Sequence, residues 1–127
     1  MDQSLIMAPF DFVQRKLLKR RLDRLSWAPD LVITIPGERT DRRSEAIEFF
    51  MSRLPDDLQG EIVLVDGTGI YAWSPSYLDE MVKQVLVERD AKRLIFAAAH
   101  GDPFFLVISS CMRRGVDDRL DLKWTAP

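Results

Sequence analysis

Short apolar runs alternate with amphipathic segments along most of this 127-residue chain. Four runs have the length and aliphatic content of β-strands. Three segments between them place apolar residues at helical spacing and therefore predict α-helices. The predicted strands cover residues 31–35, 62–65, 93–98 and 119–124, and the predicted helices cover residues 41–54, 75–89 and 102–114.

Individual residues mark the ends and the inner faces of these helices. Asp102 and Pro103 predict an N-cap followed by the first helical position, and Gly115 predicts the end of the same helix. Apolar residues at helical spacing form the expected inner face of the first helix: Ala46, Ile47, Phe50, Met51 and Leu54.

The alternation of strands and helices predicts an α/β fold. We expect one domain over residues 31–127, with a mainly parallel sheet of about four strands and helices packed on it. Residues 62–65 and 94–98 are continuously apolar, which is typical of strands that are covered on both faces. The last strand alternates apolar and polar residues, which fits an edge position.

Residues 1–30 predict a loose arm and a basic amphipathic helix ahead of that domain. Within residues 9–25, six apolar residues fall on one stripe: Phe10, Val13, Leu17, Leu18, Leu22 and Leu25. Six basic residues accompany them: Arg15, Lys16, Lys19, Arg20, Arg21 and Arg24. Such a helix packs on its own domain or on a second copy, or it docks on an anionic membrane surface, an acidic partner or phosphates.

The charges of the chain are unevenly placed. Residues 1–27 hold six basic and three acidic side chains, a net charge of +3. The remaining residues hold twelve basic and seventeen acidic side chains, a net charge of −5. The net charge of −2 argues against a nucleic-acid binder that works through the charge of the whole chain.

Other features of the composition exclude further classes of protein. Cys111 is the only cysteine, so neither an intramolecular disulfide nor a cysteine-based zinc site can form. No apolar run approaches the ~20 residues of a membrane span, and no signal-peptide pattern is present, so we expect a cytoplasmic protein. Glycine-rich phosphate loops are also missing, and we expect no cofactor and no metal ion.

Three short motifs suggest enzymes, and each lacks a necessary residue. Asp66 with Gly67 and Thr68 resembles part of a haloacid-dehalogenase motif, but Leu64 occupies the position of the nucleophilic aspartate. Gly67 also interrupts an aspartic-protease pattern, and a cysteine-phosphatase loop starting at Cys111 would need arginine where Asp117 stands. A small enzyme that uses His100 and Asp66 is the weakest of three functional hypotheses, because no nucleophile is paired with these two residues.

Three stretches of the chain resemble a STAS domain, the module of anti-sigma-factor antagonists, and more narrowly the STAS-like domains of unknown function. Residues 61–66 match the aliphatic strand of that family, which ends in an aspartate. Residues 70–80 resemble its loop and helix start, where a Ser-Pro-Ser-aromatic run precedes Asp-Glu. Residues 94–120 resemble its closing strand and helix, with Gly-Val-Asp-Asp at 115–118.

The resemblance implies a non-enzymatic regulatory module that docks to another protein. In antagonists, a kinase-like anti-sigma factor phosphorylates a serine at the start of the helix after this strand. Pro75 falls on that position here, so Ser76 and then Ser74 are the candidate acceptors. STAS domains without the acceptor exist as subunits bound to transporter ATPases, so an ATPase subunit is another expected partner. A STAS domain usually opens with a β-hairpin, whereas this sequence predicts one strand before the first helix.

The expected site is a partner-binding surface at the loop of residues 73–77, the helix that follows and a neighbouring loop. Exposed aromatic side chains at Trp73 and Tyr77 would supply its hot spot. The surface comprises Trp73, Ser74, Pro75, Ser76, Tyr77, Asp79, Glu80, Lys83, His100 and Asp102. The alternative hypothesis is an adaptor or assembly subunit whose N-terminal helix mediates self-association as a homodimer, membrane docking or docking to a transporter ATPase.

Overall fold

A computed structural model describes residues 28–125 as one parallel sheet with helices packed against it. The strands β1 to β4 lie in the order of the sequence, and every neighbouring pair is parallel. Their bounds are Leu31–Thr34 for β1, Ile62–Asp66 for β2, Arg93–Ala98 for β3 and Leu120–Trp124 for β4. The helices are α1 at Arg43–Arg53, α2 at Pro75–Val82 and α3 at Asp102–Arg113.

Two shorter helical segments complete the described part of the chain. Helix α2 continues directly into a π-helical segment, Lys83–Glu88, in which the amide of Arg89 reaches back five residues to the Gln84 carbonyl. A 3₁₀ turn, Asp117–Arg119, leads into β4.

The sequential order of the strands places the helices on one side of the sheet. Helix α2 packs between α1 and α3, as expected when every crossover has the same hand. The core between the helices and the sheet includes Phe50, Val65, Phe96, Phe104 and Leu122, which are all completely buried.

The opposite face of the sheet, called here the open face, carries the alternate residues of each strand. No helix within residues 28–125 packs on this face. Ile95 and Ala97 lie at its centre and are 3% and 1% exposed, although they lie outside the hydrophobic core cluster. Val32 on the outer strand β1 is 56% exposed.

The α/β class and the four-stranded parallel sheet are confirmed. The continuously apolar strands predict a cover on both faces, and the described helices cover one of the two. Met51 was expected on the inner face of α1 and is instead 60% exposed, because α1 buries only the narrow stripe that includes Ala46 and Phe50. Helix α3 begins at Asp102 with Gly101 as its N-cap, one position earlier than predicted.

Strand β4 lies at the edge of the sheet, as its alternating pattern predicts. Asp121 is nevertheless completely buried, and it accepts a hydrogen bond from Nε of Arg93 at 2.7 Å. A polar residue in an alternating strand therefore need not face solvent, because a cation on the neighbouring strand can stabilise it.

The predicted N-terminal arm and its helix of residues 9–25 lie outside the described residues. Within residues 28–125, no helix is both long enough and apolar enough to cross a membrane.

Candidate functional site

Three loops meet at the edge of the sheet where the parallel strands have their carboxyl ends. They are residues 35–42 after β1, residues 67–74 after β2 and residues 99–101 after β3. Parallel sheets usually bind ligands in a crevice where the strand order reverses and neighbouring helices diverge. This strand order never reverses, so the described part of the chain offers a surface of loops rather than a crevice.

Hydrogen bonds fix the loop of residues 67–74 on both sides. The amide of Gly67 donates to the Ala97 carbonyl at 2.8 Å, which ties the loop to β3. The amide of Tyr71 donates to the Glu38 carbonyl at 2.8 Å, and the amide of Thr40 donates to the Ala72 carbonyl at 2.9 Å. The loop after β1 therefore pairs with the loop after β2 like two short strands.

Trp73 packs its ring directly against the backbone of Gly67. A Cβ added to Gly67 would lie 2.4 Å from Cη2 of Trp73 and 2.6 Å from Cζ2, so only glycine fits under the ring. The far side of the ring meets Phe96 edge to face, with centroids 5.3 Å apart. Nε1 of Trp73 is buried, and no hydrogen-bond acceptor pairs with it in the described part of the chain. Trp73 is partly buried and serves mainly to hold the loop in place.

Helix α2 begins with a serine pair at the end of this loop. The hydroxyl of Ser74, the N-cap, accepts a hydrogen bond from the Tyr77 amide at 3.3 Å. The hydroxyls of Ser74 and Ser76 lie 2.9 Å apart, and the Ser74 amide donates to the Thr40 hydroxyl at 2.9 Å. Pro75 is exposed, and both serines are partly exposed.

The expectation that Tyr77 is exposed is wrong. Its side chain is 3% exposed and packs near Phe50 of α1, with ring centroids 6.0 Å apart. Burial, together with the charge of Glu45, raises the pKa of Tyr77 to about 12. The exposed aromatic residue of the loop is Tyr71, at 65%, which the sequence reasoning did not select. The only sequence signal for the exposure of Tyr71 was its position in a loop, because loops lie at the surface.

Asp79 is occupied by contacts within the molecule. Its carboxylate accepts hydrogen bonds from Nη2 of Arg43 on α1 at 2.8 Å and from Nη2 of Arg114 at 2.9 Å. Nε of Arg114 and the hydroxyl of Ser110 also donate to it, at 3.1 and 2.6 Å. The hydrogen bonds from Arg114, with those from Ser110 and Arg43, hold the pKa of Asp79 well below its usual range, and outweigh the opposing effect of burial.

Glu80 also makes its contacts within the molecule, whereas Lys83 is more exposed to solvent. Glu80 is 1% exposed and accepts hydrogen bonds from Arg43 at 2.9 Å and from Gln84 at 2.6 Å. Burial raises the pKa of Glu80, but the hydrogen bonds from Gln84 and Arg43 outweigh it and leave the pKa lowered. Lys83 is partly exposed and lies 3.9 Å from Glu88, a weak surface ion pair.

Asp66 and His100 are not joined as a catalytic pair by any hydrogen bond within residues 28–125. Oδ1 of Asp66 accepts hydrogen bonds from the amide and the hydroxyl of Thr68, at 2.9 and 2.5 Å, so it stabilises a turn. The Thr68 hydroxyl in turn lies 2.8 Å from that of Thr125. His100 is partly exposed and Asp102 is exposed.

The described residues contain no cluster of three or more histidine, cysteine, aspartate or glutamate side chains able to hold a metal ion. Of the predicted partner-binding residues, the structure brings Ser74, Pro75 and Ser76 together at one helix start. The basic residues of the N-terminal helix lie outside the residues that the structure describes: Arg15, Lys16, Lys19, Arg20, Arg21 and Arg24.

Comparisons with protein-family models, with curated proteins and with solved structures find no significant match for this chain. The likeness to STAS domains therefore rests on the sequence stretches quoted above and stays a prediction.

Proposed function

We propose that this chain is a non-enzymatic regulatory module that binds another protein. Its contact surface is the docking loop, defined as residues 71–76, together with the loop of residues 100–102. The observation that carries the proposal is Tyr71, an aromatic side chain that is 65% exposed on a loop held by hydrogen bonds on both sides.

Two physical arguments support a protein partner. Tyrosine is enriched at interface hot spots, because it buries a large area with few rotatable bonds and keeps a polar group. A loop that is already fixed loses little conformational entropy when it binds. The loops after β1 and β2 bond to each other before any partner arrives.

Ser76 gives this surface a means of regulation. It is the second residue of α2, where the positive end of the helix dipole favours an added phosphate. A phosphate on its oxygen would remove the hydroxyl proton of Ser76 and place negative charge 2.9 Å from Ser74, which caps the helix. The proposed partners are a serine kinase related to anti-sigma factors or an ATPase subunit, as the STAS resemblance implies.

The test is affinity capture of the intact tagged protein from its native cell, with the partner quantified by mass spectrometry. We expect Tyr71→Ala to lower partner recovery about tenfold, since truncating a hot-spot aromatic costs more than ~1 kcal/mol of binding free energy. Ser76→Glu should change recovery by at least as much, and the peptide containing Ser74 and Ser76 is examined for phosphate in the same sample.

Met112→Ala is the matched control, because Met112 is a comparably exposed hydrophobic residue on α3, at 56%. Recovery that is equal for the parent, Tyr71→Ala and Ser76→Glu would refute the docking surface. If variants of the N-terminal helix alone reduce recovery, the adaptor hypothesis takes its place.

A further inference from the structure

The open face of the sheet has an apolar centre. Ile62 and Leu64 of β2 and Ile95 and Ala97 of β3 alternate onto this face. Ile95 and Ala97 are buried, and Ile62 and Leu64 are partly buried, yet none of the described helices packs there. Parallel strands with continuous apolar sequences normally have a cover on both faces.

We propose that the predicted N-terminal helix, residues 9–25, packs its apolar stripe across the open face of the sheet in the same chain. This assignment is independent of the proposed docking function, because it concerns the face of the sheet and not the loops at its edge. The argument for this occupant has three parts: the place where the described chain begins, the length of the segment and its charge.

The described chain enters the sheet beside Ile62, at the amino ends of β1 and β2. The amide of Asp30 donates to the Ile62 carbonyl at 2.8 Å, and its carboxylate accepts from the Ile62 amide at 2.8 Å. The chain therefore enters the sheet next to a residue of the open face. Only residues 26–30 separate that point from the predicted helix, and five extended residues span at most about 17 Å.

The predicted helix is long enough to cover the centre of the sheet. Seventeen residues form a helix about 25 Å long. Four strands spaced about 4.8 Å apart place the outer strand axes about 14 Å from each other. One helix of this length is enough to cover the central strands β2 and β3, while Val32 on the outer strand β1 stays exposed.

The charges also favour an intramolecular cover. Residues 9–25 hold six basic and two acidic side chains, whereas residues 28–127 hold twelve basic and seventeen acidic side chains. The helix is thus attracted to the domain that follows it in the sequence. A short link gives the tethered helix an effective concentration in the millimolar range, which favours it over a second copy.

The experiment measures the access of a thiol reagent to the open face in the full-length protein. Leu64→Cys places a reporter thiol on this face, and Val32→Cys supplies an exposed reference on the same face. Cys111 is completely buried and should react slowly. The parent protein, which has no introduced thiol, measures this background rate. We expect the thiol at position 64 to react with a chromogenic disulfide reagent at least tenfold more slowly than the thiol at position 32.

Substitutions in the N-terminal helix then identify the cover. In the Leu64→Cys background, the pair Leu17→Gln and Leu18→Gln removes two residues of the apolar stripe and should accelerate the reaction at least tenfold. The matched pair Lys16→Gln and Lys19→Gln, at the adjacent polar positions, should change the rate less than twofold.

Two results would overturn the proposal. The first is a thiol at position 64 that reacts as fast as the one at position 32, or one whose slow reaction is not accelerated by the Leu17→Gln and Leu18→Gln pair. The second is slow reaction that is lost on dilution while light scattering shows a dimer, because a second copy would then be the cover. If Leu64→Cys does not fold by near-ultraviolet circular dichroism, Ile62→Cys repeats the measurement on the same strand and face.

Discussion

At the scale of single residues, the carboxylate of Asp79 on α2 connects α1, α2 and α3. It lies on α2, accepts hydrogen bonds from Arg43 of α1 and is bound by Ser110 and Arg114 at the end of α3. Arg114 uses two nitrogens, at 3.1 and 2.9 Å, which is the strong two-point geometry of arginine with a carboxylate. Asp79 is therefore better explained as a structural residue than as a free contact for a partner.

We expect Asp79→Asn to lower the free energy of unfolding by about 2 kcal/mol. The amide of asparagine cannot balance the charges of Arg43 and Arg114. The loss is smaller than for a fully buried ion pair, because these side chains are partly exposed. Equilibrium urea unfolding measures the change. Asp41→Asn is the control, because its pair with Arg39 is exposed on both sides and should contribute less than 0.5 kcal/mol. Equal effects of the two substitutions would contradict this role.

The sequence could not reveal the role of Asp79, and the reason is physical. Acidic residues on an amphipathic helix usually face solvent, and nothing near Asp79 in the chain predicts its partners. Arg43 and Arg114 lie 36 and 35 positions away, so only the packing of the helices brings the three side chains together. The expectation that Tyr77 is exposed was wrong for the same reason, since its burial depends on which face of α2 meets α1.

At the scale of elements, the docking loop depends on one glycine. Trp73 lies where any side chain at position 67 would be, and its ring connects the loop to Phe96 in β3. The loop is thus fixed by packing as well as by its backbone hydrogen bonds.

We expect Gly67→Ala to destabilise the protein by about 1–3 kcal/mol, because the added methyl group must displace the Trp73 ring. Near-ultraviolet circular dichroism should change together with the urea midpoint. Gly69→Ala is the matched control, since the nearest atom to its added Cβ is the Gly37 carbonyl oxygen at an ordinary 3.8 Å. Similar losses in both variants would mean that the Trp73 contact does not matter.

The elements themselves were largely predictable from the sequence. Residues 93–98 were predicted as a strand, and β3 has the same bounds, since a continuous aliphatic run has few alternatives. The ends of α1 and α3 shifted by one or two residues, as cap positions often do. The π-helical segment after α2 was not predicted, because the apolar spacing of residues 75–89 fits an α-helix; within the segment, the buried Gln84 side chain bonds to Glu80 and to Arg89.

At the scale of the whole molecule, the shifted pKa values define a pH range of stability. Asp79 has a lowered pKa, so its contribution is complete above its ordinary pKa of about 4 and is lost as the pH falls towards the folded-state value. Tyr77 has a pKa raised to about 12, so the folded state favours its neutral form. Its contribution is complete below about pH 10 and is lost as the pH rises further.

We therefore expect the free energy of unfolding to be highest between about pH 5 and pH 9 and to fall on both sides. Asp79→Asn should flatten the acid side, and Tyr77→Phe should flatten the alkaline side, as measured by urea unfolding at each pH. Tyr71→Phe is the control for the alkaline side, because Tyr71 is exposed. If the free energy of unfolding falls as steeply at alkaline pH in Tyr77→Phe as in the parent, groups other than Tyr77 cause the decline.

The sequential order of the strands has a consequence for synthesis on the ribosome. Each strand after β1 pairs with the strand synthesised immediately before it, so no strand needs a partner that is synthesised much later. The sheet can grow in one direction as the chain emerges, and the newest strand always forms one of its two edges. Strand β4 is one edge of the described sheet, and its exposed, charged Lys123 should discourage pairing with another nascent chain. We therefore expect β4 to lower the tendency of the newly made sheet to aggregate through this edge.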